Sequence, residues 1–257
     1  MEEPQGYIDF CSVRSFWREG LLVLMYHSIE TPPLRHSWRA LHVEPSKLRS
    51  QLKGLRASGA RFVSLTDWNR NRSDERQVAV TFDDGFQNVL LQALPVLQEL
   101  AVPAISFIVA GLIGQTNSWD HSAGARMMPL MERAEIDAWL QAGQEIGSHA
   151  LTHRDLTSLP RDEARYEIFE SKKILENIFA RPIRHFCYPY GKSNQALRDW
   201  VKEAGYETAC STQAGYNVNK QDAYALRRLL ARHRRPYAVA WGRSVQNFLL
   251  LKNQVGR

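Results

Sequence analysis

Three short segments of the chain place residues that can bind a metal ion or move a proton directly after an apolar run. In the first, residues 78–82 have the composition of a buried strand and lead into Asp83, Asp84 and Gly85. Adjacent side chains at a strand end point in different directions, so one carboxylate can ligate a metal ion while the other accepts a proton. A plain polar turn is the alternative interpretation of this segment.

The second segment, residues 147–153, carries two histidines after another short apolar run. His149 and His153 are four residues apart, so their rings can converge on one ion, and neutral imidazole suits metals such as zinc. Ala150 stands where the helical metalloprotease motif requires glutamate, which disfavours that class of enzyme. Two histidines without a ligand are the alternative. With Asp84, the pair would form a two-histidine, one-carboxylate site with positions left for water and substrate.

The third segment, residues 186–191, reads Phe-Cys-Tyr-Pro-Tyr-Gly. Pro189 and Gly191 bend the backbone, and the bend can direct the Tyr190 amide into a site as a donor to an oxyanion. An aromatic-rich turn without a catalytic role is the alternative, and the segment alone does not distinguish the two.

The elements that would position these segments alternate along the chain. The sequence predicts strands over residues 21–26, 62–65, 78–82, 105–109, 145–148, 185–188 and 206–211. It predicts helices over residues 45–58, 89–100, 132–142, 161–179 and 195–204. This alternation indicates an α/β fold with a mostly parallel sheet, either open or closed into a barrel. In both architectures we expect reactive residues just after the carboxyl ends of strands.

Length and composition favour one globular domain. The chain has 257 residues, of which 44% are hydrophobic and 23% charged, and these values exclude a disordered tail, a collagen and a mini-protein scaffold. We expect a single domain over residues 1–257, with a core at about 21–231 and a basic extension at 232–257. Three scattered cysteines suit neither a disulfide framework nor a four-cysteine zinc site.

The positive charge is local. The net charge is +6, and residues 226–235 contain five arginines and no acid. No aromatic residues are interleaved with them to stack on bases, so we expect no nucleic-acid partner. A solvated face is the preferred interpretation of this arginine cluster, and contact with an acidic glycan, a lipid-linked phosphate or a membrane surface is the alternative.

The start of the chain lacks the pattern of a secretory signal. Glu2 and Glu3 stand where such a signal carries basic residues, and the apolar run at 21–26 is too short to span a bilayer. We therefore expect no transmembrane segment and a cytoplasmic location, with a periplasmic or peripheral membrane location as the alternatives.

Together, these segments closely resemble the polysaccharide deacetylase family, the carbohydrate esterases with a NodB homology domain. The similarity extends over about residues 21–231 and is carried by residues 25–29, 81–85, 147–153, 186–191 and 226–228. The resemblance implies a distorted, incomplete (β/α) barrel. It also implies a metal-dependent hydrolase that removes N-acetyl, or O-acetyl, groups from a glycan, a glycolipid or a sugar-containing intermediate.

The resemblance also implies a role for each candidate residue. Asp83 would be the general base, and the Tyr190 backbone would be the oxyanion donor. The metal ligands would be Asp84, His149 and His153, with Zn²⁺ as the expected ion and Co²⁺, Ni²⁺ or Mn²⁺ as alternatives.

Three further residues, Pro189, Gly191 and Asp120, are assigned to the substrate-binding cleft. His27 is the preferred general acid, because it follows the first predicted strand and resembles the Tyr-His motif of family members that deacetylate exported poly-N-acetylglucosamine. A structural histidine is the alternative for this position.

Two positions depart from the family pattern. Many members have an arginine before the proline-containing turn, where it tethers the base; this chain has Cys187 there, which leaves Arg184 or Arg228 as the tether. Many members also carry a late Leu-x-His that supplies the general acid, whereas residues 226–228 here read Leu-Arg-Arg. His233 lies further on, and we do not expect it to replace that histidine.

Two other functions compete with glycan deacetylation. The same metal site could hydrolyse a small linear or cyclic amide. The two departures would also suit a glycan-binding module with a degenerate site. We prefer deacetylation because a binding module does not need Asp83, Asp84, His149 and His153 together.

Overall fold

A computed structural model of the chain describes residue 17 and residues 19–31, 41–70, 75–123 and 126–231. The strands are β1 (Gly20–Tyr26), β2 (Ser28–Ile29), β3 (His42–Val43), β4 (Arg61–Phe62), β5 (Arg76–Phe82), β6 (Ala104–Ile108), β7 (Glu145–Ser148), β8 (His185–Cys187), β9 (Thr208–Cys210) and β10 (Leu229–Leu230). The α-helices are α1 (Pro45–Ala57), α2 (Leu65–Arg70), α3 (Leu94–Glu99), α4 (Arg133–Gln141), α5 (Arg161–Phe179) and α6 (Gln195–Glu203).

The main sheet is parallel and curls on itself. Its strand order is β10-β1-β5-β6-β7-β8-β9, with β4 beside β5, while β2 and β3 form a separate pair. The stretch at 226–230 joins the two ends of the main sheet, because Leu226 bridges Cys210 of β9 and Leu229 pairs with Leu24 of β1. The sheet therefore forms a distorted, incomplete (β/α) barrel, which confirms the predicted fold.

Both faces of the curled sheet are apolar, since helices cover the outer face. Alternate strand residues form an inner cluster that contains Leu21, Val23, Ala79, Ile105, Phe107, Cys187, Cys210 and Leu226. Leu65 and Trp68 of α2 belong to the same cluster, and Oγ1 of Thr66 lies 2.9 Å from Nε2 of His185, the first residue of β8. Helix α2 thus closes the end of the barrel at which the strands begin, and the polar strand-end residues lie at the opposite end.

Two predicted elements differ from the structure. The strand predicted at 62–65 ends at Phe62, because the Ser64 hydroxyl accepts a hydrogen bond from the Asp67 N–H at 3.0 Å and so caps α2 at its start. The helix predicted at 89–100 begins as a π-helical turn, Val89–Ala93, and continues as α3 with Pro95 in the first turn, where the missing N–H costs no helical hydrogen bond. The two-residue strands β2, β3 and β10 were not predicted.

The predicted basic extension, residues 232–257, lies outside the described residues, and so do Arg232, His233, Arg234 and Arg235. The single domain over residues 1–257 therefore stays a prediction. Within the described ranges, no helix is both long enough and apolar enough to cross a membrane.

Candidate active site

The three segments singled out in the sequence meet at one end of the barrel. Asp83 directly follows β5, His149 directly follows β7, and Cys187 is the last residue of β8. These strands belong to the run β5-β6-β7-β8 of the parallel sheet, so their carboxyl ends lie side by side. His27 follows β1, which neighbours β5 on the other side. The topology therefore brings together residues that are far apart in the sequence.

A sharp turn separates the two adjacent aspartates. The Asp83 N–H donates to the Tyr26 carbonyl oxygen at 2.9 Å, which extends the pairing of β1 with β5 by one residue. Asp84 then has a φ of 73° and Gly85 a φ of 74°, both in the left-handed region that glycine enters freely and aspartate tolerates better than most residues. The turn lets the two carboxylates reach different partners.

Asp84, His149 and His153 form a buried cluster with one potential ligand atom each. Nε2 of His149 lies 3.4 Å from Oδ1 of Asp84, and Nε2 of His153 lies 3.3 Å from the same oxygen. The three ligand atoms lie within 4.8 Å of one another. Nδ1 of His149 donates to the Cys187 carbonyl oxygen at 2.7 Å, so Nε2 is the ring nitrogen that faces Asp84.

This set of donor atoms fits a divalent cation. Two imidazole nitrogens and a carboxylate oxygen are the ligands of catalytic zinc sites, which keep a position free for water. Burial acts to lower the pKa of His149, but its contacts with Cys187 and Asp84 hold that pKa well above its usual value, so Nε2 donates to Asp84 when no cation is bound. A bound divalent cation would take the place of that proton. Burial acts to raise the pKa of Asp84, but hydrogen bonds with His149 and His153 hold that pKa well below its usual range. The carboxyl group is therefore ionised, as a metal ligand must be.

Asp83 is held by a buried arginine. The Arg228 guanidinium donates to Oδ1 of Asp83 at 2.7 Å and to Oδ2 at 2.8 Å, which is the bidentate geometry of a strong ion pair. The same guanidinium donates to the Ser211 carbonyl oxygen at 2.8 Å and to Oγ1 of Thr81 at 3.1 Å. Burial acts to raise the pKa of Asp83, and Arg228 lowers it below its usual value. Asp83 is therefore an ionised carboxylate in a fixed orientation.

Arg228 thus pairs with Asp83 in this chain, whereas many family members have an arginine at the position of Cys187. Its guanidinium also lies 3.1 Å from Sγ of Cys187, the residue that stands where many family members have the arginine. Arg184, the other candidate, pairs with Glu207 at 2.9 Å. The interpretation of the arginine cluster as a solvated face is wrong for Arg228, which is only 1% exposed, because a buried carboxylate requires a buried cation.

His27 lies beside Asp83. Its Nε2 is 3.8 Å from Oδ2 of Asp83, which is beyond hydrogen-bond distance. Burial lowers the pKa of His27, and this effect outweighs the opposing charges of Asp83 and Asp84. The ring is therefore neutral near pH 7. It lies close enough to Asp83 to exchange a proton through a small movement or one water molecule.

Aromatic rings enclose His153. The Trp119 ring stacks on it with centroids 4.3 Å apart, and the Tyr190 ring meets it edge-on at 4.9 Å. Tyr190 has a φ of 58°, and the next residue, Gly191, has a φ of 69°. A Cβ on Gly191 would lie 2.1 Å from Oγ1 of Thr212, so glycine is required for this turn. The turn places Tyr190 at the cleft with 43% of the residue exposed.

The remaining cleft residues differ in exposure. Pro189 is buried beneath the turn. Asp120 follows Trp119 in a 3₁₀ helix, Ser118–Ala123, and is partly exposed. Burial and the nearby charge of Asp84 raise the pKa of Asp120. The structure thus brings Asp120 to the same cleft as Tyr190.

Sequence reasoning did not decide on Arg228 and did not assign Trp119. The only signal for Arg228 was its position in a segment that resembles the family, and 145 residues separate it from Asp83. A single tryptophan in a loop carried no signal of its own.

Comparison with known proteins identifies the family. The family model described as polysaccharide deacetylase matches residues 70–209 of the chain. The chain belongs to the polysaccharide deacetylase family. The putative polysaccharide deacetylase YxkH of Bacillus subtilis is 27% identical over 214 residues, which cover 81% of this chain and 70% of the relative. A poly-β-1,6-N-acetyl-D-glucosamine N-deacetylase of Staphylococcus aureus is 25% identical over 197 residues, which cover 74% of this chain and 68% of the relative.

Two solved structures share the fold. IcaB from Ammonifex degensii has a TM-score of 0.72 at 23% identity and covers 83% of this chain, which in turn covers 92% of IcaB. The putative polysaccharide deacetylase BA0330 of Bacillus anthracis has a TM-score of 0.69 at 25% identity, with 83% of this chain and 65% of that chain covered. This polysaccharide deacetylase is accordingly a hydrolase of carbon–nitrogen bonds other than peptide bonds, of a family that depends on a divalent metal.

Proposed function

We propose that this polysaccharide deacetylase removes N-acetyl groups from a polymer of N-acetylglucosamine, with Asp83 as general base and with Asp84, His149 and His153 as metal ligands. The observation that carries the proposal is the juxtaposition of two buried sets at one end of the barrel. One set has the donor atoms for a metal, and the other is a carboxylate kept ionised by Arg228. The S. aureus relatives, which are N-deacetylases of poly-β-1,6-N-acetyl-D-glucosamine, support this class of substrate.

Each residue has a role in hydrolysis of the amide. A divalent ion held by the three ligands would polarise the acetyl carbonyl and acidify a water molecule. Asp83 accepts the proton of the attacking water, because the ion pair with Arg228 orients the carboxylate and keeps it ionised. The Tyr190 N–H donates to the oxyanion as the carbon becomes tetrahedral. The carbon–nitrogen bond then breaks, and acetate and a free amine are the products.

The leaving amine requires a proton, and we assign its delivery to His27. This ring is neutral at rest because burial lowers its pKa, so it must first receive the proton that it donates. Asp83 holds the proton from water, and its Oδ2 lies 3.8 Å from Nε2 of His27. The proton can therefore pass from water to Asp83 and through His27 to the amine, with no net change in the enzyme.

The cleft favours a sugar over a small amide. Pro189 and Gly191 shape a turn that presents Tyr190 to solvent, and an exposed ring of this kind can pack on the apolar face of a pyranose. Asp120 offers a carboxylate for the hydroxyl groups, or for the amine of a glucosamine already deacetylated. A degenerate binding module is disfavoured, because Arg228 fills the role that the missing arginine left open.

Zn²⁺ is the proposed metal, with Co²⁺, Ni²⁺ and Mn²⁺ as alternatives that the same donor atoms accept. Four expectations stay predictions: a glycolipid substrate, the absence of a nucleic-acid partner, a cytoplasmic, periplasmic or peripheral membrane location, and a membrane contact through the arginine cluster.

Acetate release tests the function directly. The zinc-loaded protein is incubated with β-1,6-linked N-acetylglucosamine oligomers and, separately, with small amides such as N-acetylated amines. We expect acetate from the oligomers and none from the small amides. Asp83→Asn should abolish turnover and retain stoichiometric metal, whereas Asp199→Asn, at an exposed position, should leave both unchanged. Turnover by Asp83→Asn would refute the assignment of the base, and acetate only from small amides would refute the assignment of the substrate.

A further inference from the structure

A buried carboxylate outside the catalytic cluster binds the loop that connects the two metal-binding histidines. Glu167 of α5 is 4% exposed. Its Oε2 accepts hydrogen bonds from the Leu151 N–H and the Thr152 N–H, both at 2.9 Å. Its Oε1 accepts a hydrogen bond from the Thr152 hydroxyl group. No ion pair of Glu167 is found among the described residues, so its carboxylate is directed at this loop.

The loop has a backbone conformation that requires support. Ala150 has a φ of 61° and His153 a φ of 62°, and side chains other than glycine disfavour this left-handed region. On the side away from Glu167, the N–H groups of Ala110 and Gly111 donate to the Ala150 and Leu151 carbonyl oxygens at 3.0 and 2.8 Å. Glu167 therefore supplies the hydrogen bonds on one side of the loop, and the backbone after β6 supplies those on the other.

The two histidines depend on this loop to different extents. His149 is fixed independently of it, because its N–H donates to the Ile108 carbonyl oxygen at 2.8 Å and its Nδ1 donates to the Cys187 carbonyl oxygen. Nδ1 of His153 has no hydrogen-bond partner among the described residues. Apart from the contact of Nε2 with Asp84, the position of the His153 ring is thus set by its backbone and by the Trp119 and Tyr190 rings.

We propose that Glu167 is a positioning residue for the metal site, which holds the 150–152 loop so that His153 presents Nε2 to the ion shared with Asp84 and His149. This inference rests on the proposed metal site and adds to it a determinant of metal affinity. Residues that orient metal ligands typically contribute 10- to 100-fold to affinity. Glu167 acts on His153 through two backbone N–H groups and the Thr152 hydroxyl group rather than through the imidazole itself.

Metal binding to the stripped protein tests the proposal without recourse to activity. Co²⁺ is titrated into wild type, Glu167→Leu, Glu167→Gln and Glu170→Leu, and binding is followed by the visible absorption of the ion. Glu167→Leu removes every acceptor, and we expect it to weaken Co²⁺ affinity by roughly 10- to 100-fold. Glu167→Gln keeps one oxygen for the two backbone N–H groups and should fall between wild type and Glu167→Leu. Glu170→Leu, on the same helix but paired with Lys173, should bind as wild type does.

The kinetic split provides a second readout. At saturating Co²⁺, kcat of Glu167→Leu should fall by a smaller factor than its affinity for the ion, since excess metal refills the site. Affinity equal to that of wild type in Glu167→Leu would overturn the proposal. If circular dichroism shows that Glu167→Leu is unfolded, the Co²⁺ affinity of Glu167→Gln is the deciding measurement, because this variant preserves the size of the side chain. A wild-type protein that binds no Co²⁺ would instead refute the metal site itself.

Discussion

Removal of Arg228, which pairs with the proposed general base Asp83, should move the acidic limb of the pH–activity profile. Asp83 and Arg228 are 2% and 1% exposed, so Arg228→Met leaves a buried carboxylate without its counter-charge. A neighbouring arginine lowers a carboxyl pKa by about 1–3. In the variant, burial dominates and raises the pKa of Asp83, so the fraction of ionised base falls at mildly acidic pH. We expect the acidic limb of kcat/KM to shift upwards by about 1–3 pH units.

The same substitution should destabilise the fold. Breaking one side of a buried ion pair costs about 3–5 kcal/mol of unfolding free energy. The pKa of Asp83 in the wild type lies below its unfolded value, so the ion pair stabilises the protein above that unfolded value and loses this effect as the pH falls through the folded pKa. In Arg228→Met the folded pKa lies above the unfolded value, so the variant should lose stability as the pH rises.

The assay combines kcat/KM for acetate release at a series of pH values with urea unfolding at two of them. Arg227→Met is the matched control. Among the described residues, the only hydrogen bond of the Arg227 guanidinium is to the Ala214 carbonyl oxygen at the surface, at 3.3 Å. A folded Arg228→Met protein with an unchanged acidic limb would refute the argument that this arginine sets the pKa of the base.

Three further predictions concern the same cleft. His27→Gln should lower kcat by about 10²- to 10⁴-fold with unchanged metal content, and a loss below tenfold would contradict its role as general acid. Gly191→Ala should lower the free energy of unfolding in urea by about 1–3 kcal/mol, because the φ of residue 191 is 69° and the new Cβ would meet Thr212. Unaltered stability would refute this strain argument. The double variant Cys187→Arg, Arg228→His has the arginine before the turn and the late Leu-x-His that many family members carry. It should be more active than the single variant Arg228→His. If the two substitutions instead lower activity additively, positions 187 and 228 are independent.

The fold was predictable because its local signals agree with one another. Strand runs such as 78–82 and helices such as 161–179 have distinct periodicities, and parallel strands with intervening helices leave few architectures. The same logic predicted where Asp83 and His149 meet, since strand ends of a parallel sheet lie at one edge. It did not predict the end of β4, where the Ser64 hydroxyl caps a helix within an otherwise strand-like run.

Contacts made by long side chains across the barrel could not be predicted in this way. The bond between Arg228 and Asp83 depends on the curl that brings β10 beside β1, and the strand that creates this contact has only two residues. Glu167 reads as one more charge on an amphipathic helix, although it is buried against the histidine loop. Periodicity reports which face of an element is buried, but it does not report what that face contacts.

Compared with many family members, this chain has cysteine in place of arginine at position 187 and arginine in place of histidine at position 228. These two differences show why a departure from a motif need not mean loss of function. A buried, ionised carboxylate requires a cation at hydrogen-bond distance, but that cation can come from any segment of the chain that reaches the carboxylate. Cys187 is short, and Arg228, directly before the last strand, approaches Asp83 with its guanidinium 3.1 Å from the sulfur. The ion pair that an arginine at position 187 would make with Asp83 is therefore made by Arg228 instead. The structure thus keeps a cation against the carboxylate of Asp83, the proposed general base, although the motif position 187 holds cysteine.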